Sequence, residues 1–576
     1  MDFAAFSNFW GYLLIALLFG GSIFVHELGH FLAAKAFGLK VLRFSIGFGP
    51  VIAQWRGKDG CKYALSLLPL GGYVAIPQLV DLGKLEGEED GDAEKTKGLP
   101  KAGCMAKICV SAAGAAFNLL LALALALVVC AVGVPEQEAF KTTVVGGLDP
   151  VVDAFGNEYV SPAKKAGMRE GDKITAVDGK PAENFENIIE YVATGSGRDK
   201  FGKPSAKISV VREGKKMDFE VSPILLKTNY ETGDEIRTIG ATPAIRMIVG
   251  EVMPNSPAQK AGLKEGDEVI GVNSKKIYSP SHMANFLKAH PGAVKVDILR
   301  GGKKIALAAE PKKAILTKPL MQIDCDKGRL RLLETADKAG AKRVRVFSKS
   351  PDLEIEVGDI LYEIGSKKIA SLGDAMNAAA ASKNLMLGFA GENFRLKTLA
   401  ARGAKAEIIP PQSRVMLGYQ LKSGTVISHP SVGRQFREAV EKVFNALESL
   451  ANPDSDIGIK SLAGPVDIGR VIYRLSSTAV MLVISFTVLL NINLAILNML
   501  PIPVLDGGHI IFAIIEKLRG KPVPAGVFAA VQSVFAALFL ALMGYVVYIG
   551  FARWSGDSKA ASQSEIYSQF YIKTKF

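Results

Sequence analysis

Histidine and cysteine are scarce in this chain of 576 residues, with six of the first and five of the second. Five is an odd number, and Cys104, Cys109 and Cys130 lie in or beside one hydrophobic stretch. That leaves no readable disulfide framework and no zinc-binding cysteine pair. The formal net charge is +13, yet no compact basic patch interleaves with aromatics and no nucleic-acid motif occurs. Lys and Arg scattered over solvated faces account for the excess, and no nucleic-acid partner is expected. Charge itself is missing from four stretches, 3–25, 108–135, 475–505 and 522–552. Each exceeds the roughly 20 apolar residues that cross a bilayer, so the lipid bilayer is an expected partner. The first stretch lacks a basic leader and runs into a charged motif instead of a small-residue cleavage site. It reads as a retained anchor, not as a cleaved signal peptide.

A chain of this length holds several units. Lys35, Lys40 and Arg43 follow the first span, Lys101 and Lys107 precede the second, and Lys517, Arg519 and Lys521 separate the third from the fourth. The positive-inside bias puts these two loops in the cytoplasm and the large central block outside it, although Arg470 and Arg474 pull the other way. The first loop has a Gly-rich apolar part, 44–76, and then an acidic stretch, 81–94, that reads as a solvated connector.

The central block repeats itself. Ala-Gly-Met-Arg-Glu-Gly-Asp at 166–172 recurs as Ala-Gly-Leu-Lys-Glu-Gly-Asp at 261–267, each with Ser-Pro-Ala just upstream, at 161–163 and 256–258. A fainter copy without that Ser-Pro-Ala begins at Val357-Gly358-Asp359. The Gly-Asp pairs are 95 and 92 residues apart (171 to 266, then 266 to 358), the size of a small domain. Each Gly supplies a turn that an apolar strand then leaves, and each Asp can accept from backbone amides there. The pattern resembles PDZ domains, which bind extended peptides along a sheet edge. A rigid spacer of the same fold is the alternative.

The chemistry is concentrated in His26-Glu27-Leu28-Gly29-His30. On a helix, residues four apart share a face, so two imidazoles reach one zinc ion while Glu27 serves as base. Ionisable groups at membrane depth are costly, which favours a functional reading over a helix-end cluster satisfied by backbone. Two histidines still need a third protein ligand. Asp506, the first acid after a long uncharged run, is the candidate, with His509 as its competitor. Pro501 and Pro503 break the helical pattern just ahead of it. Spans one and three run in the same direction, so both motifs end near the same membrane face.

H-E-L-G-H in a first span and N-x-L-P-x-P-x-L-D-G-G-H at the end of a later one resemble the site-2 protease family. The PDZ-like copies make the chain similar to its bacterial regulator-of-sigma-E protease type. Ser-Ile-Gly-Phe-Gly-Pro at 45–50, Pro-Leu-Gly-Gly-Tyr-Val at 69–74, Ala-Gly-Pro-Val-Asp-Ile at 463–468 and the run 492–498 match as well. The second span departs from the pattern, with Ala113-Gly114-Ala115-Ala116-Phe117-Asn118 where a proline usually follows the glycine. A third PDZ-like unit is also unusual.

The resemblance implies an intramembrane zinc endopeptidase with His26, His30 and Asp506 as Zn2+ ligands and Glu27 as catalytic base. Asn493, Asn498, Gly71, Gly72, Pro503, Gly464 and Pro465 would contact substrate, with packing between helices as the alternative for the asparagines. It also implies substrates among single-pass transmembrane proteins, either anti-sigma factors or signal-peptide remnants, and peptide C-termini as possible partners of the PDZ-like units. The expected location is a bacterial inner membrane. The expected fold is a polytopic α-helical membrane protein with four transmembrane helices, a membrane-dipping β-loop and inserted extracytoplasmic PDZ-like α+β domains. In order these are a first transmembrane helix at 1–37, a loop at 38–103 and a second helix at 104–135. PDZ-like units follow at 136–225, 226–312 and, degenerate, 313–415. A membrane-proximal amphipathic segment at 416–470 leads to a third helix at 471–505, a fourth at 522–552 and a tail at 553–576. The rival expectation is a non-catalytic PDZ scaffold that keeps a vestigial metal site.

Overall fold

The computed structural model describes residues 3–79, 102–153, 158–227, 235–336, 340–350, 352–381, 383–391, 395–521 and 523–571. The acidic stretch 81–94 lies outside them. Two compact units emerge. One comprises 1–136, 426–451 and 459–551; the other comprises 137–425, 452–458 and 552–576.

Four helices are long and apolar enough to cross a membrane, and their spanning portions are Ala16–Ala36, Cys104–Val132, Val480–Asn498 and Gly526–Gly556. The first belongs to the helix Phe3–Ala36, so the H-E-x-x-H residues are fully helical. The apolar stretch 475–505 is divided. Pro465–Ser476 is a separate helix, Val480–Asn498 is the span, and Asp506–Arg519 starts a new helix after a non-helical turn. Pro501 and Pro503 lack the amide proton that a continuing helix needs, so the chain turns there. Gly507 and Gly508 let the new helix start tightly against that turn. A Cβ on Gly507 would lie 2.3 Å from the Leu500 carbonyl oxygen, and one on Gly508 would lie 2.2 Å from that of Ile502. In the bundle, fully buried Asn491 donates to Ser22 Oγ at 2.9 Å, joining the first and third spans.

Between the first two spans lies an antiparallel hairpin of two long strands, Arg43–Arg56 and Lys62–Ala75. Phe44 and Tyr63 of the hairpin pack with Phe31 and Ala34 of the first helix and Val110 of the second. This apolar cluster fixes the hairpin beside the H-E-x-x-H turn.

The other unit contains the three repeats, and their backbone bonds coincide. The amides of Val145, Val249 and Val346 donate to the carbonyls of Asp172, Asp267 and Asp359, at 2.8, 2.8 and 2.9 Å. Each of these aspartates accepts at 2.8 Å from the amide three residues before it, Arg169, Lys264 or Glu356. Each also meets a cation on a later strand: Arg212, Arg300 or Lys397. The third copy keeps this frame although it lacks the capped helix that Ser161 and Ser256 start in the others.

The strand flanking each Val-bearing strand differs in origin. In the first repeat it is Thr242–Pro243, paired with Gly147 and Val145. In the second it is Tyr419–Leu421, which the chain supplies after the whole third unit. Leu417 is accordingly part of the second repeat's core. An antiparallel pair, Lys312–Ile315 with Ser413–Met416, carries the chain out and back, so the third unit is nested inside the second. In the third the flanking strand is Gly328–Ala336, and a further strand, Leu320–Cys325, covers its other edge. Met321 and Ile323 of that covering strand are fully buried with Leu372 and Ala375 of the helix Leu372–Ala379.

Asp267 is 1% exposed, and the guanidinium of Arg300 holds its carboxyl below the usual aspartate range. A depressed carboxyl contributes stability above its unfolded pKa, about 4, and loses it as pH falls through the folded value. Replacing Asp267 with Ala strands Arg300 and the Lys264 amide. It is expected to cost about 2 kcal/mol, seen as roughly 30-fold faster amide exchange in strands 268–272 and 294–300 at pH 7. The difference from wild type should shrink towards pH 3.

Candidate metal centre

His26 and His30 sit one turn apart on the first helix, and Asp506 opens the helix after the proline turn. Nε2 of His26 lies 3.1 Å from Nε2 of His30 and 3.2 Å from Asp506 Oδ2, and His30 Nε2 lies 3.5 Å from the same oxygen. Donors held tetrahedrally by bonds of about 2.0–2.1 Å stand about 3.3 Å apart, so these three fit one zinc ion. The donor chemistry agrees. Asp506 Oδ2 is buried with no hydrogen-bond donor in proper geometry among the described residues, and Nε2 of each imidazole lies within 3.5 Å of it.

The surrounding groups orient the rings. His30 Nδ1 is 2.8 Å from the Val110 carbonyl, which accepts its proton and leaves the lone pair on Nε2. The side-chain amide of fully buried Asn118 is 3.2 Å from His26 Nδ1, while its own Oδ1 is without a partner among the described residues. Half a turn of that amide lets Oδ1 accept from Nδ1–H and satisfies both groups. Space comes from glycine. A Cβ on Gly114 would stand 2.4 Å from His30 Nε2 and 2.6 Å from His26 Cε1, and one on Gly29 would stand 2.5 Å from the Ala113 carbonyl.

Glu27 lies against the hairpin, where a Cβ on Gly72 would come within 2.9 Å of its Cγ. Gly71 beside it has φ +130°, a conformation that glycine tolerates. Asn498 reaches His26 Nε2 at 3.4 Å. Pro503 belongs to the turn against which Gly508 packs. No hydrogen bond joins Asn493 to the cluster among the described residues. Gly464 and Pro465 begin a helix, and a Cβ on Gly464 would stand 2.6 Å from Val546 of the last helix, which is a packing contact. His509, the competitor of Asp506, is not in the donor group; its ring lies 6.2 Å from that of Phe528. Sequence reasoning assigned no role to Gly114, Gly29 or Asn118. The small-residue run around Gly114 was the available signal, but it reads equally as ordinary helix packing.

Two imidazoles and a carboxylate, with a glutamate beside them and apolar spanning helices around them, define a membrane zinc metallopeptidase. The model of Peptidase family M50 matches residues 14–542, and the chain belongs to that zinc-dependent family. The regulator of sigma-E protease RseP of Escherichia coli (strain K12) is 24% identical over 559 residues, 95% of this chain and 99% of its own. The regulator of sigma E protease of Haemophilus influenzae is 24% identical over 536 residues, 92% of this chain and 96% of its own. A Vibrio cholerae relative with the provisional name of zinc metalloprotease is 26% identical over 555 residues, 94% of this chain and 99% of its own. Family membership sets aside the non-catalytic scaffold.

Gly114→Ala puts a methyl group into both imidazoles. It is expected to lower zinc affinity roughly tenfold or more, measured as zinc content after dialysis against buffered zinc. Retention at the wild-type level removes the cradle role.

Proposed function

We propose that the protein is a membrane-embedded endopeptidase that cleaves transmembrane segments of single-pass proteins in regulated intramembrane proteolysis. Anti-sigma factors and signal-peptide remnants are its substrate classes. The observation that carries this reading is Glu27, one residue from His26 and packed on Gly72 of the hairpin. A helical substrate hides its amides, so its backbone must open before hydrolysis. The hairpin edge around Gly71 and Gly72 offers backbone groups to an opened strand next to the base.

His26, His30 and Asp506 hold zinc in this reading, which supplies Lewis-acid polarisation and acidifies water at the site. Glu27 takes the proton of the attacking water on a carboxylate oxygen and delivers it to the leaving amide nitrogen. Asn498, beside His26, donates to the substrate backbone. Asn118 and the Val110 carbonyl keep both rings turned inward.

The same reading places the chain in a bacterial inner membrane with the hairpin dipping into the lipid and the PDZ-like units outside the cytoplasm. Those units screen substrates or take a newly made C-terminus. Strand addition is open to the first two. In the third, the edge is already filled by Leu320–Cys325, which favours a spacer role there.

Glu27→Gln removes the base and keeps the metal ligands. Single-span fragments are expected to accumulate in membranes of cells carrying it, with zinc content unchanged and cleavage reduced at least about 10³-fold. Full cleavage by that variant rejects the mechanism.

A further inference from the structure

The first repeat carries two arginines that its frame does not use. Arg198 follows the C-terminal end of the helix Phe185–Thr194, and Arg237 lies in the strand Glu235–Thr238. That strand leads through Ile239 and Gly240 into the edge strand Thr242–Pro243. Among the described residues, this edge strand pairs on one side, with Gly147 and Val145. A peptide adding to its other side, antiparallel to it, would point its C-terminus back towards Gly240 and the two guanidiniums.

An acid from elsewhere in the chain already sits there. Asp456 belongs to the short segment 452–458, which lies in sequence between the helices Val432–Ala451 and Pro465–Ser476. Arg198 Nη2 donates to Asp456 Oδ1 at 2.7 Å and to the Asp454 carbonyl at 2.6 Å. Arg237 donates through Nε to Asp456 Oδ2 and through Nη1 to the Gly197 carbonyl at 3.3 Å. Burial by itself would raise the Asp456 carboxyl, but the bonds from Arg198 and Arg237 hold it below the usual aspartate range.

Two features mark the arginines as more than a structural tie. Arg237 is 3% exposed, a charge that is costly to bury without a carboxylate against it. Its Nη2 is buried and has no partner among the described residues. Asp456 thus uses one prong of the guanidinium fork, whereas a fork accepts a carboxylate on two.

We propose, given the peptide-binding reading above, that Arg198 and Arg237 form a receptor for the C-terminal carboxylate of a peptide and that Asp456 is its internal occupant. An incoming carboxylate exchanges with Asp456, engages Nη2, and frees the seven residues 452–458 between the two helices. Peptides ending in a free carboxylate are therefore the ligand class, and an intact chain presents them a site that is already filled.

The test applies the full chain in detergent to an array of random hexapeptides with free C-termini, and to the same peptides amidated. Asp456→Ala is expected to bind the free-carboxylate peptides about tenfold more strongly than wild type, because the internal competitor is gone. Binding to the amidated set stays unchanged, and Arg198→Gln added to Asp456→Ala removes the gain. Equal signal from wild type and Asp456→Ala, including none from either, overturns the proposal. So does an equal gain on amidated peptides. Hydrolysis is not read here, so this result and that of Glu27→Gln stand or fall separately.

Discussion

Two imidazoles and a carboxylate in an apolar bundle are costly to bury unless they share a partner, and the membrane unit is organised around that cost. His26 and His30 come from the first helix and Asp506 from a helix 476 residues beyond His30 (506 minus 30). They meet because the second span offers no side chain at Gly114 and because Gly29 lets the first helix press on Ala113. Each glycine weakens a helix taken alone, by about 1 kcal/mol relative to alanine. The loss is local, and the close approach it allows is what brings the imidazoles within reach of one ion.

The proline turn performs the matching task on the other side. It ends the third span at Asn498 and starts the next helix at Asp506, so the acid occupies a first-turn position that favours negative charge. Asn498 is left at the last helical position beside His26. The amide of Asn498 and the carboxylate of Asp506, both beside His26, therefore arise from one break in one apolar run. Buried Asn491 and Ser22 join the first and third spans about one turn before His26 and two before Asn498, so this bond fixes the helix that carries both imidazoles against the helix that ends at the proline turn.

Local rules made part of this readable from sequence. The i, i+4 spacing of His26 and His30 is a property of any helix, and an isolated acid after a long uncharged run stands out by composition. Gly-Asp at 171–172, 266–267 and 358–359 marks turns whose backbone bonds are local, so the three repeats were visible. What was not visible depends on contacts across helices or strands. Nothing near Gly114 in sequence says which ring it faces. Asn118 could equally have bonded any helix beside it. The separation of Pro465–Ser476 from Val480–Asn498 falls in Ser-Ser-Thr-Ala, a stretch with neither glycine nor proline to announce it.

The nesting of the third PDZ-like unit was hidden for the same reason, and it carries a physical consequence. Strand Tyr419–Leu421 completes the second repeat only after the chain has passed through the third unit and returned along Ser413–Met416. The roughly hundred residues between must bring their ends together before that strand can pair, and a folded insert does so at far smaller entropy loss than a loose loop. The eight-stranded sheet of the third unit supplies that closure, with both sides of its Gly328–Ala336 strand paired within the unit. The third unit is thus the closed insert across which the second repeat finishes its sheet with Tyr419–Leu421.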